Sequence, residues 1–297
     1  MKIMRPNLAT AIAIVLALVA CGSGQQTQQV TRPVSDPVVA PPPASPAQPA
    51  EPQCAEEPGM VYIAGGEYLF THHNTRHSVA PFWIDRTEVT VAAFRAFVAA
   101  GYSAPYSSTS KRFPLTCTWQ LEDNDQLPVN CVDWYQAEAF CLWSNKRIPT
   151  AIEWGWAARG REEQRKYPWG DETPSCELAV VDQNIDDEVM GCGRNRPWPV
   201  GSKPRDVTRD GVLDMLGNVS EKTSTGTTAE ERSSRLTLGS SWRTAASLRF
   251  PVDVAGGSVG RDGYSDKSGI RCVKDVVLPP CARPTPASPP GPNGAAS

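Results

Sequence analysis

The chain has 297 residues, with 29 lysines and arginines against 32 aspartates and glutamates, for a net charge of −3. That mixed surface has no basic run beyond the first residues, which excludes nucleic acid as a partner. The length allows one large domain or two ordinary ones.

In chain order, the first feature is a targeting signal. Lys2 and Arg5 precede an apolar run from Ala9 to Ala20, and LVAC, Leu18 to Cys21, closes it in the pattern of a bacterial lipoprotein signal. The run is too short to cross a bilayer as a stable helix. Residues 1–20 are therefore expected to be removed, leaving a lipid on Cys21. Gly22 follows, not Asp, which points to the outer membrane of the cell envelope. Residues 21–53 are rich in Pro, Gln and Ser, and a Pro-rich tail covers 282–297. Of the 28 prolines, 15 fall in 22–52 and 279–292, a composition that forms extended spacers and cannot bury a core. The folded domain is expected over 54–281.

Within it, Met60 to Phe70 reads as a hairpin, with VYIA and EYLF on either side of Gly65 and Gly66. Val79 to Asp85 reads as a further strand, and THHNTRH, Thr71 to His77, as the loop before it. Thr90 is a helix cap followed by VAAFRAFVAA, with Gly101 as the stop. Asp133 with Gln136, and Thr150 with Glu153, have the spacing of capping boxes and predict two more helices. In the first of these, Ala137, Phe140, Cys141 and Ser144 share a face, which turns Cys141 inward. From Tyr167 onward the pattern loosens into turns and short strands, and few ladder hydrogen bonds are expected there.

Cys21 apart, eight cysteines remain: Cys54, Cys117, Cys131, Cys141, Cys176, Cys192, Cys272 and Cys281. An even number in an exported chain argues for disulfides. Zinc is disfavoured, because no CxxC pair occurs and the histidines are only His72, His73 and His77. Those histidines also leave no evident base for a Ser or Thr nucleophile.

Seven blocks stand in order: GMVYIAGGEYLF, FWIDRTEVT, PVNCVDWYQAEAFCLWSNKRIPTAIEWGWAARG, YPWGDE, LDMLGNVSEK, LGSSW and SGIRCVKD. Together they resemble the formylglycine-generating enzyme family, the sulfatase-modifying factor domain, over about Glu57 to Asp275. The resemblance implies a single compact α+β domain, a variant of the C-type lectin fold with little regular secondary structure and stabilised by disulfides. It also implies a core bridge between Cys141 and Cys272. Spacing then suggests Cys117 with Cys131, Cys176 with Cys192, and Cys54 with Cys281, although eight cysteines admit 105 connectivities.

Enzymatic members of that family oxidise a sulfatase cysteine with two cysteines that bind copper, a task for soft thiolates. On the register set by GSSW, Thr244 and Arg249 stand at those positions. Neither supplies a thiolate, so no copper is expected and the oxidation should be absent. In LDMLGNVSEK the resemblance implies a calcium site from Asp214, Gly217, Val219 and Glu221, hard oxygen donors suited to that ion. Ser220 and Lys222 stand where the family usually has tryptophans. Val180 stands at a second family calcium site, which is therefore expected to be lost.

GSSWRTAASLRF, Gly239 to Phe250, takes the place of the family's active groove. Trp242 would offer a flat apolar face, Arg243 and Arg249 forked hydrogen bonds, and Thr244 a hydroxyl. The reading is a lipid-anchored, non-catalytic domain binding a protein, peptide or glycan at the cell envelope. An active oxidoreductase with altered residues is the alternative, and a purely structural envelope protein a third.

Overall fold

The structure is a computed structural model that describes residues 57–71, 73–107, 115–183, 189–226, 234–247, 251–254 and 256–276. The chain separates into two units, 1–49 and 50–297, and every described residue belongs to the second. The signal, the linker, the tail, Cys21, Cys54, Arg249 and Cys281 lie outside the described residues.

The described elements, in chain order, are β1 (Met60–Ile63), β2 (Gly66–Phe70), β3 (Thr75–Val79), β4 (Phe82–Asp85), α1 (Val91–Ala99), α2 (Trp134–Trp143), α3 (Ala151–Ala158), β5 (Ser220–Gly226), β6 (Ser234–Leu238), β7 (Gly256–Gly260), β8 (Ser268–Gly269) and β9 (Val273–Asp275). They form three sheets, ordered β1-β4-β9, β2-β3 and β7-β6-β5-β8.

The hairpin expected over Met60 to Phe70 does not form. β1 pairs antiparallel with β4, Met60 opposite Asp85, while β2 pairs with β3, Gly66 opposite Val79. The reason lies in the two glycines. A Cβ on Gly66 would come within 2.7 Å of the Trp156 ring, and one on Gly65 within 2.5 Å of the Val79 carbonyl. They permit close packing and do not make a tight turn. The turn that does reverse the chain follows Phe70 and places Asn74 at φ 51°. Hence part of THHNTRH, from Thr75 onward, is strand. The strand expected from Val79 to Asp85 is divided at Pro81, which has no N–H to give a ladder.

The three helices begin where their caps predict. Thr90 Oγ1 accepts from Ala93 N at the start of α1, and Asp133 with Gln136 and Thr150 with Glu153 form complete capping boxes at α2 and α3. Their apolar faces feed two cores. One gathers Trp154 and Trp156 of α3 with Ile63, Tyr68, Phe70, Phe82 and Ile84. The other packs Phe94 and Phe97 of α1 against Phe140 and Cys141 of α2. Three disulfides, Cys117–Cys131, Cys141–Cys272 and Cys176–Cys192, tie these layers. The second joins α2 to the segment leading into β9.

The C-terminal half carries more ladder than its sequence suggests. β6 pairs with β7 over five register positions, and β5 pairs with both β6 and β8. This sheet forms one wall of the candidate site.

Candidate functional site

A cavity of about 560 Å³ opens between β6, β7, the turn Ser240–Thr244 and the segment Ser265–Ser268. Of the thirteen described residues that line it, eight are Ser or Thr, two are glycines of β7, and none is acidic or a thiol. Thr244 lines it, and its Oγ1 accepts from Ser241 N at 3.0 Å. Tyr264, next to the lining residue Ser265, stacks on exposed Tyr106 with ring centroids 4.2 Å apart.

Two expected groove residues are placed differently. Trp242 is 1% exposed, and its indole N–H donates to the Asp266 carbonyl at 3.0 Å. It is a core side chain and presents no face to a ligand. Arg243 lies over the Trp242 ring at 4.4 Å and pairs with Asp266 at 2.8 Å. Its Nη2 is spent holding the turn, and Asp266 in turn accepts from Thr116 N. Thr244 alone of the three described groove residues reaches the cavity, and the Arg249 expectation falls outside the described residues.

Lys222, with Ser220 at the family's tryptophan positions, stands at the groove wall's edge in the sequence, and the structure places it behind the cavity. On β5 it alternates with Glu221 and shares a face with Ser220, a cavity residue. Lys222 is 2% exposed, and its Nζ donates to Ser268 Oγ at 2.9 Å. Ser268 lies opposite Ser220 in the parallel β5–β8 pair and lines the cavity floor. Burial pushes the Lys222 amine down to about 7, with Asp133 pulling weakly the other way.

Glu221, on the opposite face of β5, belongs to a buried polar core. Arg271 Nε donates to its Oε1 and Oε2 at 2.9 and 2.8 Å, Arg271 Nη2 to Oε1 at 2.7 Å, and Trp154 Nε1 to Oε2 at 2.6 Å. The same guanidinium takes the carbonyls of Asp85 and Leu213. Beside it, Asp214 Oδ2 accepts from Gly201 N, and Glu88 accepts from Val219 N through Oε1 and from Asn218 Nδ2 through Oε2. Burial, then proximity to Asp214, pushes both Glu88 and Asp206 well above the usual carboxylate range.

This arrangement tests the expected calcium set. Asp214, Gly217, Val219 and Glu221 are brought together in one turn, but both Glu221 oxygens are committed to a guanidinium that already supplies the counter-charge. Asp214 Oδ2 is likewise taken, by the Gly201 amide. As placed, the four residues do not fit a calcium ion. Nor do the described residues fit copper, because all six described cysteines are in disulfides. His77 is bonded to Thr75 on β3, and His73 packs near Phe70 on the same hairpin.

The comparisons with known proteins agree with this fold. Residues 46–276 match the family model described as a sulfatase-modifying factor enzyme 1-like domain. The chain is 26% identical to an inactive C-alpha-formylglycine-generating enzyme 2 of Mus musculus, over 76% of this chain and 88% of that protein. It is 33% identical to a hercynine oxygenase of Mycolicibacterium thermoresistibile over 55% of this chain, a match that covers only 40% of that enzyme. PvdO from Pseudomonas aeruginosa has the same fold, with a TM-score of 0.60 at 19% identity over 75% of this chain and all of that one. The matched span takes in the whole described domain, and the chain belongs to the sulfatase-modifying factor enzyme 1-like family.

Proposed function

We propose that this domain binds a glycan in the cavity beside Thr244 and does not oxidise cysteine, and that a lipid on Cys21 holds it at the cell envelope. The observation that carries the reading is the lining itself: hydroxyls and glycine backbone where the family's oxidation needs a thiolate pair. Ser and Thr hydroxyls both donate and accept, which suits a ligand that is itself a polyol. The stacked tyrosines Tyr106 and Tyr264 beside Ser265 add the flat faces that sugar rings use. The relative named inactive is compatible with a member of the family that has lost its oxidation.

A binding titration against oligosaccharides, paired with oxygen uptake in the presence of copper and a cysteine peptide, separates this reading from an oxidase. Saturable sugar binding that is lost when Ser241 is changed to Trp, with no oxygen consumed, is the expected result. Oxygen consumption that depends on the peptide would overturn it. For the anchor, an alkynyl fatty acid fed to expressing cells should label the chain, and C21A should not be labelled.

A further inference from the structure

Lys222 is a buried amine with one hydrogen-bond partner, Ser268, and no ion-pair partner among the described residues. Buried lysines held for stability alone are ordinarily paired with a carboxylate, since an unpaired charge is costly away from water. Among the described residues no carboxylate pairs with the amine. Glu221 points to the other face of β5 and is taken by Arg271. Asp133, the nearest acid to act on Lys222, is occupied by the cap of α2 and by the Tyr106 hydroxyl. Among the described residues the cavity walls contain no acid, and Lys267 stands among them as a second cation.

Ser268 connects the amine to the cavity. Its Oγ accepts from Lys222, so its own hydroxyl proton is left to donate. A hydroxyl whose oxygen accepts from a protonated amine is a stronger donor than an ordinary serine, and a charged acceptor, which itself favours the protonated amine, gains most from it. We propose that Lys222 and Ser268 form an anion-binding point in the cavity floor, and that the ligand is an acidic sugar whose carboxylate takes the Ser268 hydroxyl while its ring hydroxyls meet the Ser and Thr walls. The carboxylate would supply the counter-charge that Lys222 lacks. This rests on the glycan reading above and narrows it to uronic-acid-type residues.

The test titrates the domain by calorimetry with trigalacturonate and with neutral galactotriose. Wild type should bind the acidic sugar at least about tenfold more tightly, the scale of one charge-assisted hydrogen bond. K222M and S268A should each bring the ratio of the two affinities close to one. If K222M fails to fold, S268A, which removes a single oxygen atom, carries the comparison. Equal binding of both sugars by wild type, or an acid preference that survives in S268A, overturns this inference and leaves the glycan reading standing. Binding of neither sugar overturns both, and binding of tri-glutamate in their place overturns the sugar assignment.

Discussion

Lys222 and Arg271 are two buried basic side chains in opposite surroundings, and each predicts a different response. The Lys222 amine lies near 7 in the folded chain and near 10.4 when exposed by unfolding. Between those values the unfolded chain takes up a proton that the folded one does not. Stability attributable to Lys222 is therefore present above pH 10, falls as pH drops, and is lost below about 7. Unfolding free energies of wild type and K222M, measured from pH 6 to 10, should diverge by on the order of 4 kcal/mol in favour of wild type as pH rises. Parallel curves would show that the amine is solvated. Arg271, by contrast, neutralises Glu221, so R271M should cost about 3 to 5 kcal/mol by leaving a buried carboxylate unpaired. Adding Glu221→Gln should recover part of that loss in a denaturant titration. At this scale the sequence was a poor guide to exposure. Trp242 sits among hydroxyls and arginines, which reads as a surface, yet Ser241 and Thr244 bond one another and Arg243 bonds Asp266. Polar neighbours that satisfy each other leave the indole inside.

The elements divide by how local their signals are. α1, α2 and α3 were legible because a cap and its partner three residues on are set within one turn. Thr150→Ala should therefore destabilise the fold by about 1 kcal/mol, and up to about 2. The effect reaches beyond α3, since Glu153 also holds Arg147, which bonds Asp275 of β9. A change within a few tenths of a kcal/mol would mean that water replaces the cap. The strands were less legible because their pairing is not local. β1 passes over its sequence neighbour to pair with β4, and β4 takes β9 from the far end of the domain. β5 and β7 read SEKTSTG and GGSVG, without the apolar alternation that marks a half-buried strand. They are strands because the β6 ladder and the contacts behind it outweigh their propensity.

At the scale of the whole molecule, the question is what closes the charge of a core that gathers Glu88, Asp206, Asp214 and Glu221 around one arginine. A resident calcium ion and a proton-plus-guanidinium network predict different melting behaviour. A calcium site filled at a hundred times its dissociation constant would add about 2.7 kcal/mol. In a domain of this size that is roughly 5 to 10 °C in melting temperature. The structure has already spent both Glu221 oxygens on Arg271 and Asp214 Oδ2 on the Gly201 amide. Melts in millimolar calcium and in chelator should therefore agree to within about 1 °C. A rise of several degrees with calcium, lost in Asp214→Asn, would mean that the turn opens to admit the ion and that Arg271 gives up part of its hold on Glu221. The same pair of melts bears on the fold's layout, because Arg271 also takes the carbonyls of Asp85 and Leu213. If the guanidinium is the cation that joins β4 to the turn before β5, no metal is needed for those segments to meet.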